Sequence, residues 1–266
     1  MNNIVTNFDQ ILEFAKSYGL PPTKKRGILR EYLQTKILDL IYQQKVSSQL
    51  YFVGGTCLRL LYGLDRFSED LDFDLGRLSQ AQIETLMKDT HQKLTKENIA
   101  IDLYQNINPQ RAYWEFRFKN LLYELNLSSQ KEEKLMIKFD FETFWRGQQR
   151  KVILLNRYGF LVNVVTVPLN QILVQKLYAY TQRRQTLPRD IHDIVWLVAQ
   201  GAKMNNNFLK KNKLPKNLIA QAETKFKKEE KKLKGLKLKL RPFLLDEKRT
   251  ARLNLFPKIL DTILKS

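Results

Sequence analysis

Between Tyr51 and Leu75 the chain reads YFVGGTCLRLLYGLDRFSEDLDFDL, and this stretch ends in three aspartates two residues apart, Asp70, Asp72 and Asp74. In an extended strand alternate side chains share a face, so the three carboxylates would stand side by side. Like charges at that spacing repel unless a cation lies between them. Hard oxygen ligands grouped this way suit Mg²⁺ or Mn²⁺, and such ions serve phosphate chemistry. Upstream, Gly54 and Gly55 leave bare backbone N–H groups beside a predicted helix start, where a triphosphate can dock. These residues predict a metal-dependent enzyme acting on a nucleoside triphosphate.

The order and spacing of Gly54-Gly55-Thr56, Leu58, Tyr62-Gly63, Arg66, Ser68 and Asp70-Leu71-Asp72-Phe73 resemble the first motif of the AbiEii/AbiGii toxin family. That family comprises nucleotidyltransferases of the polymerase-β-like superfamily. The resemblance implies that Asp70 and Asp72 are metal ligands and that Gly54, Gly55 and Thr56 form the turn that contacts phosphate. Arg66 and Ser68 are read as orienting the phosphates or the strand. Asp74, one step beyond the family's usual pair, is expected behind the ligands or at the surface. Arg59 is expected to face solvent.

Two further segments carry the likeness. Lys138-Phe139-Asp140-Phe141-Glu142 loosely resembles the second motif and offers Asp140 as third metal ligand. An acid inside an apolar strand is costly without a partner, and pairing with Lys138 is the other reading. Residues 168–198, with Lys176, Arg183-Arg184 and Arg189-Asp190-Ile191-His192-Asp193, are similar to the later motifs. There the resemblance implies that Lys176 contacts the triphosphate and that Asp190 holds Lys176 or a metal-bound water, with Asp193 one turn along the same helix. Asp190 could equally be an acid favoured by a helix N-terminus. His192 is read as a packing or capping residue.

Composition narrows the partners. The net charge is +19, with 46 Lys and Arg against 27 Asp and Glu. Residues 203–241 alone hold 14 basic and three acidic residues, more than half of the excess. Such a balance points to a polyanion, nucleic acid first; a generally Lys-rich surface is the alternative, and the clustering in one segment argues against it. This segment has only Phe208 and Phe226 as aromatics, which favours phosphate-backbone contact over base stacking. One cysteine, Cys57, excludes an internal disulfide, and it is expected to be buried. Two histidines with that cysteine cannot complete a four-ligand zinc site unaided. No apolar run is long enough for a membrane span and the first residues do not read as a signal peptide, so a cytoplasmic protein with no membrane partner is expected.

The elements that must position these residues follow from periodicity. Helices are predicted over 7–18 and 25–46, separated by Pro21-Pro22. A strand over 50–54 runs into Gly54-Gly55, a helix covers 56–62 with Gly63 as its cap, and the acid-bearing strand covers 69–75. Ser79 caps a helix over 80–97. Strands are predicted near 99–106, 112–118, 121–127 and 135–141, with a hairpin over 151–155 and 160–166. Helices follow over 168–184, 189–200, 204–212 and 215–233, then an alternating stretch at 236–240 and a last helix over 248–264. The expected fold is α/β: a nucleotidyltransferase core with a mixed sheet and an N-terminal helical arm over residues 1–167, and a helical, Lys-rich domain over 168–266. The expected function is transfer of a nucleoside monophosphate from an NTP to tRNA, as a toxin with an antitoxin encoded beside it. The alternatives are a non-catalytic RNA-binding protein on the same scaffold, or transfer to a protein hydroxyl.

Overall fold

The structure, a computed structural model, describes residues 3–108 and 111–265. The chain runs α1 (Asn3–Thr6), α2 (Phe8–Ser17), α3 (Lys25–Tyr42), β1 (Leu50–Val53), α4 (Gly54–Tyr62), β2 (Leu71–Leu75), α5 (Gln80–Lys96), β3 (Ile101–Asn108), β4 (Arg111–Phe118), α6 (Leu121–Glu124), β5 (Leu135–Glu142), β6 (Lys151–Arg157) and β7 (Phe160–Thr166). Helices α7 (Leu169–Gln182), α8 (Pro188–Ala199), α9 (Asn206–Lys211), α10 (Leu218–Glu229), α11 (Leu233–Leu240) and α12 (Phe256–Lys265) complete it. Contacts divide the chain into two compact units. The first holds Met1–Tyr62, Phe67–Thr143 and Val152–Thr166; the second holds Gly63–Arg66, Phe144–Lys151 and Val167–Ser266.

In the first unit the strands form a mixed sheet of order β3-β4-β5-β2-β1-β7-β6. Its register sorts side chains by polarity. Between β4 and β5, Trp114 faces Phe139 and Phe116 faces Ile137; between β2 and β5, Leu71 faces Phe139 and Phe73 faces Phe141. Because side chains alternate, these apolar residues share one face and Asp72, Asp74, Lys138 and Asp140 share the other. Rings meet across the apolar face: Phe52–Phe73, Phe73–Phe141, Trp114–Phe141 and Phe116–Phe139 have centroids 5.4, 5.3, 5.2 and 4.8 Å apart. Helix α3 lies against β5 and β7, and α5 against β3. The i, i+4 series Leu29, Leu33, Ile37 and Ile41 of α3 is fully buried. Ser79 caps α5 through a reciprocal pair with Gln82, as its sequence predicts.

A buried ion cluster locks α3 to α4 and β6. Glu31 accepts from Arg59 Nε at 2.7 Å, from Arg157 Nη1 at 3.1 Å and from the Tyr158 hydroxyl at 3.3 Å. Arg59, expected to face solvent, is buried because this carboxylate receives it. In the second unit α7 and α8 pack together, and α10 and α12 close over them. Phe256 joins them, its ring 5.2 Å from both Tyr180 and Phe226.

Three elements differ from expectation. In place of the strand expected over 121–127, Leu121–Glu124 form a short helix, because Asn120 adopts a left-handed φ of 56° and turns the chain so that Leu121 and Leu122 are both buried. Residues 236–240 belong to α11: Leu236 and Leu240 are buried one turn apart while Leu238 between them is 56% exposed, a helical rather than an alternating pattern. The last predicted helix is a 3-10 segment over Glu247–Leu255 followed by α12, which restarts where Pro257, lacking an N–H, fits a first turn. No helix among the described residues is long and apolar enough to cross a membrane. Replacing Glu31 with alanine should cost about 3–5 kcal/mol, since it strips the buried Arg59 and the half-buried Arg157 of their shared carboxylate; urea unfolding of the full chain would measure it.

Candidate active site

In the first unit, strand register gathers the acids. Strand β2 runs parallel to β5 with Asp72 opposite Asp140 and Asp74 opposite Glu142. Neighbouring strands lie about 4.8 Å apart, so the paired carboxylates emerge from one face as close neighbours. Asp70 sits just ahead of β2, where the Thr56 hydroxyl donates to its carbonyl and pins the strand's entry. Asp70, Asp72 and Asp140 are half-buried. Asp74 is 2% exposed, so the surface reading of that residue is corrected.

Gly54 meets this strand directly. Val53 pairs with Asp72 across β1 and β2, and the next residue turns into α4 with a φ of +77°. A Cβ on Gly54 would lie 2.1 Å from Asp72 Oδ2. Glycine is therefore required twice over, by the backbone angle and by the carboxylate beside it. The arrangement sets the first N–H groups of α4, a nine-residue helix, next to the acid pair.

Asp140 is gripped by a cation of the chain itself. Lys138, two residues back on the same strand face, places Nζ 2.8 Å from Oδ1 and 2.6 Å from Oδ2. The same ammonium lies 4.8 Å from the Tyr113 ring centre. Among the described residues no group of three or more His, Cys, Asp or Glu side chains is drawn together closely enough for a metal ion. The donor chemistry nonetheless fits a hard cation: the oxygens are carboxylates, and a positive group already lies on one of them.

The later motif forms a charge cluster inside the second unit. Lys176 lies on the buried stripe of α7, one turn from Ile172 and one turn from Tyr180. Its Nζ is 2.9 Å from Asp193 Oδ2 and 3.6 Å from Asp190 Oδ1, and Arg183 Nε is 3.0 Å from Asp190 Oδ2. Arg66 donates to Asp193 through both Nε and Nη2 at 2.7 Å, a bidentate pair, and is itself buried. Buried His192 takes a contact from Arg252 Nη1 at 3.3 Å, and Arg252 reaches Asp65 Oδ1 at 2.6 Å. The structure thus brings Lys176 together with Asp190, Asp193 and Arg66, and leaves His192 fully buried beside Arg252 and Asp65. Ser68 is tied through its carbonyl to Gln34 of the first unit at 3.1 Å. The partners of Arg66 and Lys176 were legible only as motif members; the Asp193 bridge between the two cations had no signal of its own.

Electrostatics in this cluster are balanced by burial and charge. Burial alone would raise the Asp193 carboxyl, but Arg66 and Lys176 override it and hold it well below the usual range. Burial opposes the Lys176 charge, yet Asp193 and Asp190 push it above an ordinary lysine. Burial also moves His192 below its ordinary value, which keeps the ring neutral at neutral pH. A depressed carboxyl contributes its full stabilisation above the unfolded pKa, about 3.9, and loses it as pH falls toward the folded value. Asp193→Asn should lower stability by about 3–5 kcal/mol at pH 7 and flatten the acid limb below about pH 4. Thermal unfolding across pH 2–7 would test both.

The comparisons agree on a family and a fold. A family model described as nucleotidyl transferase AbiEii toxin, type IV toxin–antitoxin system, matches residues 36–262. No curated protein matches the chain in sequence. Among solved structures, JHP933 from Helicobacter pylori is similar at 17% identity and a TM-score of 0.53, covering 90% of this chain and 94% of that one. MenT4, a nucleotidyltransferase toxin from Mycobacterium tuberculosis, is similar at 14% identity and a TM-score of 0.56, covering 94% of this chain and 89% of that one. At these identities the two structures speak for the fold, and the family model, spanning most of the chain, speaks for membership. The carboxylates in register on β2 and β5, the glycine turn against them and the match over residues 36–262 place this chain in the AbiEii nucleotidyltransferase toxin family of type IV toxin–antitoxin systems.

Proposed function

We propose that this nucleotidyltransferase moves a nucleoside monophosphate from an NTP to an RNA acceptor, with tRNA as the first candidate, using Mg²⁺ or Mn²⁺ held by Asp70, Asp72 and Asp140. The observation that carries this reading is the Asp72–Asp140 register together with the Lys138 ammonium on Asp140. Two carboxylates side by side in a half-buried face need positive charge, and a lysine supplies part of it in this state. A divalent ion, when bound, would neutralise phosphate oxygens and activate the acceptor hydroxyl. The protein's own part is placement. The first backbone N–H groups of α4, at Gly54 and Gly55, suit phosphate charge, and the Thr56 hydroxyl holds Asp70 in position.

The RNA acceptor is supported by charge. The net +19, and the concentration of Lys in residues 203–241, suit a phosphate backbone better than a protein hydroxyl. Toxin action would follow from blocking an RNA end needed for translation. In this reading the protein works in the cytoplasm beside a cognate antitoxin, with residues 1–167 as the nucleotidyltransferase domain and 168–266 as a helical domain.

The test is incubation of the full chain with total tRNA, Mg²⁺ and each of the four α-³²P NTPs. Label should appear on tRNA and fall by at least about 100-fold in Asp72→Ala, with the melting temperature retained. Label on protein, or full activity in Asp72→Ala, would overturn the reading. Gly54→Ala should also lose transfer, since its methyl displaces Asp72, while the left-handed backbone adds a cost of about 1–2 kcal/mol in stability. Calorimetry alongside the labelling assay separates the two effects.

A further inference from the structure

The second unit contains a cleft of about 720 Å³ built by the α7–α8 loop, the end of α10 and α11. Its wall carries three cations, Arg184, Lys232 and Lys239, against one acid, Glu229. Among the described residues none of these three cations forms an ion pair, whereas most other cations of the α7–α8 region are engaged. Two wall residues also hold buried polar atoms without a hydrogen-bond partner among the described residues, Thr186 Oγ1 and Glu229 Oε2. Thr186 is 5% exposed. Buried polar atoms are nearly always satisfied, so two orphans on one wall suggest a missing partner that both donates and accepts.

We infer that this cleft binds a nucleoside phosphate, either as a free nucleotide or as one nucleotide residue of an RNA chain. Phosphate fits the unengaged guanidinium and the two ammonium groups. A ribose hydroxyl fits the remaining pair: it donates to Glu229, as ribose hydroxyls do to acids in nucleotide sites, and accepts from Thr186. The volume lies within the range of small-ligand pockets and exceeds what a lone phosphate would need. A bare anion would moreover gain nothing from Glu229, which would repel it. The cleft accounts for part of the Lys-rich segment as a shaped site rather than a solvated face. None of its residues belongs to the carboxylate set proposed for transfer, so the inference stands or falls separately from that reading.

Gly235 provides a clean probe. It lies in α11 on the cleft wall, and a Cβ there meets nothing within 4 Å. Gly235→Leu would therefore add a bulky side chain at the cleft wall without a clash at the backbone, and leucine is the better helix former. Thr186→Val removes a hydroxyl without a hydrogen-bond partner among the described residues, so folding should not suffer. Calorimetric titration of the full chain in EDTA, with AMP, GMP, CMP and UMP and with a twelve-nucleotide single-stranded RNA, tests the site while metal-dependent binding is silent. We expect saturable binding of at least one probe, weakened tenfold or more by Gly235→Leu and about threefold or more by Thr186→Val, with melting temperatures at or above wild type. Binding of mononucleotides would identify a free nucleotide as the occupant, and binding of RNA alone would identify a residue of the chain. No binding of any probe, binding indifferent to Gly235→Leu, or displacement by equimolar inorganic phosphate would overturn the inference. A tRNA-labelling assay that failed while this binding persisted would refute the transfer reading and leave the cleft intact.

Discussion

The two-residue period of the sheet is the constraint from which the first unit's chemistry follows. One face of β2 and β5 is filled by Leu71, Phe73, Ile137 and Phe139, all buried. A register slip by one residue would carry these side chains to the polar face and drive Asp72 and Asp140 into the core. The aromatic contacts across the apolar face thus fix the positions of the carboxylates opposite, although they never touch them. Packing energy and site geometry are two consequences of the same pairing. The glycine turn extends the logic. Because Val53 is opposite Asp72, the chain leaving β1 must pass the carboxylate at a distance that permits no side chain.

Charge is handled differently in the two units. On the sheet face Asp72 and Asp140 stay half-buried, and Asp140 is attended by a lysine on the same strand, an arrangement a stronger cation can displace. In the second unit Asp190 and Asp193 are each held by two cations. Asp193 accepts the fork of Arg66 and the Lys176 ammonium together, and Asp190 lies between Lys176 and Arg183. Sealed clusters of this kind hold elements in register, because removing one partner leaves the others charged in a medium that solvates them poorly. The same rule applies to Glu31 with Arg59 and Arg157.

The sequence revealed most of what depends on local pattern. The Gly54-Gly55 turn, the strand bearing Asp72, the Ser79 cap and the helices flanking Pro188 all follow from neighbours within a few residues, and the structure has them. The place of Lys176 on a helix was also readable, because its apolar neighbours recur at helical spacing, whereas its half-buried setting beside Asp190 and Asp193 was not. Two of the misread elements, 121–127 and 236–240, are short ones in which two periods fit equally well. Leu236, Leu238 and Leu240 alternate on paper, and only packing decides that Leu238 points outward. Long-range ion pairing was hidden for a different reason. Glu31 and Arg157 are separated by 126 residues, and nothing local marks either as the other's partner.

The orphaned atoms of the second unit separate structural charge from charge available for recognition. Cations that build the fold are consumed: Arg66, Lys176 and Arg183 each meet a carboxylate. Lys225 is likewise spent, donating to the Tyr180 carbonyl at 2.7 Å near the end of α7. Arg184 is the immediate neighbour of Arg183, yet it stands on a cleft wall with Lys232 and Lys239 instead of entering the cluster. A solvated lysine face would need neither a concavity nor a buried hydroxyl without a partner. The excess of Lys over residues 203–241 is therefore not uniform in kind: part of it braces the helices, and part of it lines the cleft inferred to hold a ligand.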